Sequence, residues 1–257
     1  MCRVAKALVS LTALLAFTAS SRAQKNPKAT SGMTLLEKRA SLNLDAARSN
    51  PLQLRNLLLK MPKGADLHNH LYGAVYAETW IRNAAEDRLC IDPAAIRGTT
   101  SVFSPSEGQQ TPSCGNGKVL AADAFQDQRL YDSLVDAFSM RGFVPSSGVT
   151  GHDHFFNTFA RFGSISTRHL GEWLDELATR ARRQNEQYLE LMHTPDFSRT
   201  AKAGYEIGWR DDFGHFRDAL LAKDLTLDIT AARKELDEAE AFRAKREHCG
   251  EPGESSV

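Results

Sequence analysis

The chain of 257 residues has no excess of either charge, because 32 lysine and arginine side chains balance 32 aspartate and glutamate side chains. That balance argues against electrostatic capture of nucleic acid or of an anionic membrane, and it suits a small neutral substrate. Cysteine is scarce, with four residues and no Cys-x-x-Cys pair, which argues against a zinc knuckle. No internal repeat is visible, and a hydrophobic fraction of 42% is ordinary for a globular protein.

The first 23 residues have the pattern of a cleavable secretory signal. Arg3 and Lys6 supply a positive start, residues 7–19 form an apolar run, and small residues lead up to Ala23. The run is shorter than the ~20 residues of a membrane-spanning helix, so an uncleaved anchor is the weaker alternative. We therefore predict cleavage after Ala23 and a secreted or periplasmic protein without a membrane attachment.

Export would permit disulfide bonds among the remaining cysteines. Cys2 would leave with the signal, so Cys90, Cys114 and Cys249 would stay, an odd number. Cys90 with Cys114 is the favoured pair, because residues 97–117 are rich in Ser, Pro, Gly and Thr, and a covalent cross-link would stabilise such a segment. The sequence does not indicate what happens to Cys249.

A His-x-His motif gives the clearest chemical signal. His68 and His70 follow a turn at residues 62–64, in a run that is typical of a buried strand. Alternate side chains of a strand project from the same face, so the two imidazoles could bind one divalent ion, and nitrogen ligands suit zinc. The motif also occurs by chance in many chains, so the surrounding residues have to decide whether it marks a metal site.

The residues around the motif resemble a known family. Residues 61–74, MPKGADLHNHLYGA, are similar to the opening of the adenosine deaminase family, especially its secreted, growth-factor-related branch. Residues 188–195, YLELMHTP, are similar to the second barrel strand of that family. The resemblance implies an α/β fold of the (β/α)8 TIM-barrel type, with extra amino-terminal helices and an insertion after the first strand. Only the first barrel strands are recognisable.

This resemblance divides the chain into five segments. They are a signal peptide at 1–23, amino-terminal helices at 24–60, the first barrel strand with the metal motif at 61–76, a helical and irregular insertion with the disulfide at 77–150, and a lid helix, second barrel strand and following helices at 151–257.

The resemblance implies zinc-dependent hydrolytic deamination of adenosine or a related adenine nucleoside, giving the inosine-type product and ammonia. His68 and His70 match the family's metal-binding pair. Its acid–base residues have no match here and are expected beyond Val257, so no turnover of adenosine is expected from the 257-residue chain. Tyr72 stands where many members have an aspartate that contacts the ribose, which leaves the nucleoside preference open.

The resemblance also implies a substrate-binding role for three residues. Gly73 matches a small residue that lets the backbone approach the purine. Phe155 and Phe159 match aromatic side chains of a helix that roofs the active site, although plain core packing explains an aromatic stripe equally well. His152 and His154 precede these phenylalanines, but helical spacing would turn their side chains apart, so zinc binding there is not expected.

Two charged features have simpler interpretations. Glu190 and His193 lie at the carboxyl end of the second strand, where we expect Glu190 to form a structural ion pair. The charged run from Glu235 to Glu247 is typical of a solvated helix face.

Two rival functions stay open: another amidohydrolase that begins with His-x-His, and a non-catalytic extracellular binding fragment. The secreted branch often dimerises through amino-terminal helices, so the resemblance allows a homodimer through residues 34–48.

Overall fold

The structure, a computed structural model, describes residues 32–108, 110–146, 148–209, 211–223 and 225–251. The signal peptide predicted at 1–23 lies outside the described residues. Within them, none of the helices combines the length and the apolar character that crossing a bilayer requires.

Two capped helices begin the described part of the chain, and both lie within the segment predicted to hold amino-terminal helices. Helix α1 (Leu35–Ala47) begins after Thr34, which exchanges hydrogen bonds with Glu37 in a capping box. Helix α2 (Pro51–Lys60) begins after Asn50, whose side chain accepts hydrogen bonds from two amides of the first turn.

The central feature is a pair of parallel strands, β1 (Gly64–His70) and β5 (Glu186–Met192). His70 lies opposite Met192, so both strands end at the same edge. Lys63 fixes their other end, because its Nζ donates to the carbonyls of Leu58 and Gln184. The mixed α/β class is confirmed, and the described residues form no closed barrel.

The expectation that β1 is buried is wrong. Five of its seven residues are exposed, and only Asp66 and Asn69 are partly covered. The physical reason is that β1 pairs with β5 alone among the described strands, so its other edge meets no strand that could cover it. Leu71, directly after the strand, is fully buried and begins the hydrophobic core.

The insertion contains a small sheet that its sequence does not predict. Strand β2 (Cys90–Ile91) pairs in antiparallel fashion with β3 (Phe103–Ser104) and β4 (Val119–Leu120). A disulfide joins Cys90 to Cys114, which confirms the predicted pair. The description of the insertion as helical and irregular is therefore incomplete, because strands of two residues show no periodicity that a sequence pattern could reveal.

Helices make up most of the remaining chain. They are α3 (Leu71–Ala74), α4 (Ala77–Glu86), α5 (Gln128–Phe138), α6 (Gly151–Phe162), α7 (Leu170–Arg183), α8 (Ser198–Ile207), α9 (Phe213–Leu221) and α10 (Leu225–Arg246), with 3-10 turns at Pro93–Arg97, Ala121–Phe125 and Thr167–His169.

The core lies where α4, α6 and α7 meet, next to the end of β1. The ring of Trp80 stacks on Phe162, with centroids 4.6 Å apart, and meets Trp173 edge-on at 4.7 Å. Both tryptophans are buried, and the indole N–H of Trp173 donates to Asn83 at 2.7 Å. This aromatic cluster fixes α4 and α7 and thereby supports the strand edge that carries the histidines.

Candidate functional site

The two histidines of the motif lie close together at the carboxyl end of β1. The ring centroids of His68 and His70 are 5.3 Å apart, and both side chains are exposed. Two imidazoles that bind one tetrahedral zinc ion at the usual bond length have centroids about 5 Å apart. The separation therefore fits the predicted pair of zinc ligands.

An irregular strand places a negative charge beside this pair. The register of β1 against β5 shifts between Asp66 and Asn69, as in a β-bulge, and bulges are common next to active sites. The Asp66 carboxylate accepts hydrogen bonds from the Asn69 side chain at 2.8 Å and from the His68 amide at 3.2 Å. These bonds hold the pKa of Asp66 below its usual range, so the carboxylate is charged and favours a cation nearby.

A buried polar group lies at the end of β5. His193 Nε2 lies 3.1 Å from a carboxylate oxygen of Glu235, and the imidazole stacks on the ring of Tyr72. Burial, with a smaller contribution from the charge of Glu235, raises the pKa of Tyr72 to about 12. The solvated face predicted from Glu235 to Glu247 is wrong at both ends, because Glu235 contacts His193 and Glu247 contacts Thr179.

Glu190 does not take the expected role. Its side chain is exposed and accepts a hydrogen bond from the Tyr188 hydroxyl at 2.9 Å, and Glu190 forms no ion pair with any described residue. Since Tyr188 lies two residues away on the same strand, the two side chains share one face and meet each other.

A cavity of about 440 Å³ opens next to the segment that follows β1, and neither His68 nor His70 belongs to its wall. Its wall is formed by the residues that follow β1, by the end of α5 and by α6: Tyr72, Gly73, Ala74, Val75, Tyr76, Ala77, Phe138, Ser139, Met140, Arg141, Phe155, Thr158 and Phe162. The volume lies within the range of small-molecule sites.

Two of the three predicted substrate residues line this cavity. Gly73 and Phe155 belong to its wall, whereas Phe159 packs behind it against the core. A Cβ atom added to Gly73 would lie 3.2 Å from the ring of Phe159. The backbone at Gly73 therefore approaches an aromatic side chain of the protein itself.

The cation at the cavity wall is already neutralised. Both terminal nitrogens of Arg141 lie 2.6 Å from the carboxylate oxygens of Glu78 in a bidentate ion pair. The guanidinium hydrogen bonds hold the pKa of Glu78 below its usual range. A phosphate group would have to compete with this pair, so the cavity favours an uncharged ligand.

The two histidines that precede the phenylalanines of α6 have different surroundings. His154 Nε2 lies 2.9 Å from the Ser139 carbonyl oxygen and its ring stacks on Phe143, while His152 is exposed one position from the start of α6.

A group of possible metal ligands that sequence analysis missed lies at the other end of α4. One nitrogen of His169 and one oxygen each of Glu86 and Glu172 lie within 4.8 Å of one another, so these residues could hold a metal ion. The spacing of three between His169 and Glu172 at a helix start is a signal that could have been noticed. Glu86 joins only through the tertiary fold.

Comparisons with known proteins do not identify this chain. No protein-family model, curated protein or solved structure matches it. The likeness to adenosine deaminases therefore depends on residues 61–74 and 188–195 alone.

Proposed function

We propose that this chain belongs to a zinc-dependent hydrolase of the adenosine deaminase type, which acts on adenosine or a related adenine nucleoside. The proposal includes a TIM-type arrangement in which β1 and β5 are neighbouring barrel strands. It also includes export of the protein, with which the Cys90–Cys114 disulfide is compatible.

The observation that carries the proposal is the position of His68 and His70. Their rings are 5.3 Å apart at the carboxyl end of β1, next to the parallel strand β5. Enzymes of the TIM-barrel type keep their chemistry at the carboxyl ends of the strands. A zinc ion held by His68 and His70 would lower the pKa of a bound water molecule and so supply the nucleophile for hydrolysis.

The cavity supports a nucleoside as the ligand. Its volume of about 440 Å³ accommodates a purine with its sugar, and Phe155 offers an aromatic wall to the base. Tyr72 belongs to the cavity wall, and its hydroxyl is protonated at neutral pH, so it can donate a hydrogen bond to a ribose oxygen. Arg141 is paired with Glu78, which favours a nucleoside over a nucleotide.

The amino-terminal helices support a homodimer as part of the same proposal. Leu35, Leu36 and Leu52 are each more than three-quarters exposed on α1 and α2. Apolar side chains concentrated on one helix pair are typical of a surface that a partner covers.

Binding is the step that tests the proposal in this chain. Two histidines hold zinc more weakly than the three protein ligands of a typical catalytic site, so we do not expect turnover of adenosine by these 257 residues. We expect chelator-treated protein to bind zinc in calorimetric titrations and to bind adenosine more tightly once zinc is present.

Three variants make the test specific. The double variant His68→Ala/His70→Ala should lose zinc-dependent adenosine binding, Phe155→Ala should weaken it, and His152→Ala, an exposed histidine away from the strand edge, should leave it unchanged. The proposal is wrong if the double variant binds adenosine as the unmodified protein does, or if zinc has no effect on adenosine binding.

A further inference from the structure

We propose a second zinc site, formed by Glu86, His169 and Glu172, that joins the end of α4 to the start of α7. It is separate from the pair on β1, and it goes beyond the proposed function because it concerns the stability of the fold. The argument depends on the surroundings of His169, on three distances and on the local charge.

His169 is held in the manner of a metal ligand. Its side chain is 1% exposed, and its Nε2 lies 3.1 Å from an Asp87 carboxylate oxygen. With the proton of the neutral ring on Nε2, the lone pair of Nδ1 is available on the other side of the ring. A histidine that donates one ring N–H to a carboxylate and binds a metal through the other nitrogen is a common arrangement in zinc proteins.

The distances from Nδ1 to the two carboxylates suit a bound metal ion better than a direct hydrogen bond. Nδ1 of His169 lies 3.5 Å from Glu172 Oε1 and 3.7 Å from Glu86 Oε2, and it has no hydrogen-bond partner among the described residues. These separations are longer than an ordinary N–H···O hydrogen bond. Ligand atoms around a tetrahedral zinc ion lie about 3.3 Å apart, so a small shift of the two carboxylates would complete the site.

The protein orients both carboxylates. The second oxygen of Glu172 accepts a hydrogen bond from the Asn83 side chain at 2.9 Å, and the second oxygen of Glu86 lies 3.7 Å from Arg82 Nε. Each carboxylate therefore has one oxygen directed to a neighbour and one directed to the imidazole. Such neighbours fix the geometry of metal ligands.

Charge in the cluster also favours a cation. Asp87 contributes a third carboxylate beside Glu86 and Glu172, and the ion pairs of this group include those with Arg82 and Arg168. A nitrogen ligand with two carboxylate oxygens suits zinc better than calcium or magnesium, which prefer oxygen alone.

The test uses the His68→Ala/His70→Ala protein, in which the other proposed site is absent, so its result does not depend on the proposed function. After treatment with a chelator and dialysis against zinc chloride, we expect one zinc ion per chain by metal analysis and a higher midpoint of thermal unfolding. Glu86→Gln added to this background should weaken zinc binding at least about tenfold and remove the zinc-dependent rise.

Glu107→Gln is the matched control, because Glu107 is exposed in the insertion, far from the cluster in sequence, and has no ligand role here. It should behave as the background does. Glu86 is exposed enough for its substitution to be tolerated, with 44% of its side chain accessible, whereas replacement of buried His169 could prevent folding. Unchanged zinc binding in the Glu86→Gln protein would overturn the proposal, as would an equal rise with calcium or the absence of bound zinc in the background.

Discussion

The imidazole of His193 lies parallel to the phenol ring of Tyr72, with centroids 5.7 Å apart and an interplanar angle of 13°. This contact joins the end of β5 to the segment that follows β1. Trp80 stacks on Tyr72 at 5.9 Å, so the tyrosine links the strand edge to the aromatic core. The position of the candidate zinc ligands therefore depends on the packing of Tyr72.

Substitution of Tyr72 by Phe tests its burial through pH. Burial raises the pKa of the hydroxyl from 10.0 to about 12, so the folded state keeps its proton where the unfolded state loses it. The resulting stabilisation is complete below pH 10 and is lost as the pH rises toward 12, and after allowance for solvent screening it amounts to at most about 2 kcal/mol. Urea unfolding across this range should show the unmodified protein losing more stability than Tyr72→Phe. Parallel pH profiles would contradict the burial of the hydroxyl.

Substitution of Gly171 by Ala should separate α10 from α7. An added Cβ would lie 2.7 Å from the ring of Phe242, which is closer than packed atoms approach. We expect a loss of about 1–3 kcal/mol in the free energy of unfolding, as for other overpacked sites.

Gly204→Ala is the control for that substitution. This glycine also lies in a helix, but the nearest atom to an added Cβ is 3.8 Å away. Alanine has a higher helix propensity than glycine. We expect a gain of about 0.5–1 kcal/mol in urea unfolding. Equal effects of the two substitutions would show that α10 does not pack on Gly171.

Removal of the disulfide should destabilise the insertion. Cys90 and Cys114 close a loop with a sequence separation of 24, for which a cross-link contributes about 3 kcal/mol. The double variant Cys90→Ser/Cys114→Ser should therefore unfold at lower urea, and Ser113→Ala, next to the bond, should not. Unfolding at the same urea concentration in all three proteins would show that the bond adds no stability.

Substitution of Leu36 by Glu tests the proposed homodimer. Leu36 is 78% exposed on α1, where a charge costs little in the monomer but would be buried in a dimer through this helix. Sedimentation should show a dimer for the unmodified protein and a monomer for Leu36→Glu, while Lys38→Glu serves as a charge-changing control on the same helix. A monomer in every case would contradict the proposed homodimer.

Local signals in the sequence were sufficient for several parts of the fold. Thr34 and Asn50 start helices because their side chains accept amide hydrogen bonds within a few residues, and such caps are visible in a sequence. Residues 188–195, which resemble the second barrel strand, overlap β5, and the prediction that His68 and His70 lie on one strand is confirmed. These features depend on neighbours in the chain.

The missed features depend on contacts between distant residues. Glu235 meets His193 only because α10 packs against α7, and the periodicity of a charged helix gives no sign of that contact. Glu86 approaches His169 through the packing of two tryptophans, which no local pattern shows.

The most direct test of the central claim is zinc-edge X-ray absorption on zinc-loaded Glu86→Gln protein, in which the second site is disabled. We predict a first shell that includes two imidazole nitrogens at about 2.0–2.1 Å, and loss of that signal in the same protein carrying His68→Ala/His70→Ala. A shell of oxygen atoms alone, or an imidazole signal that survives these substitutions, would contradict a zinc site on β1.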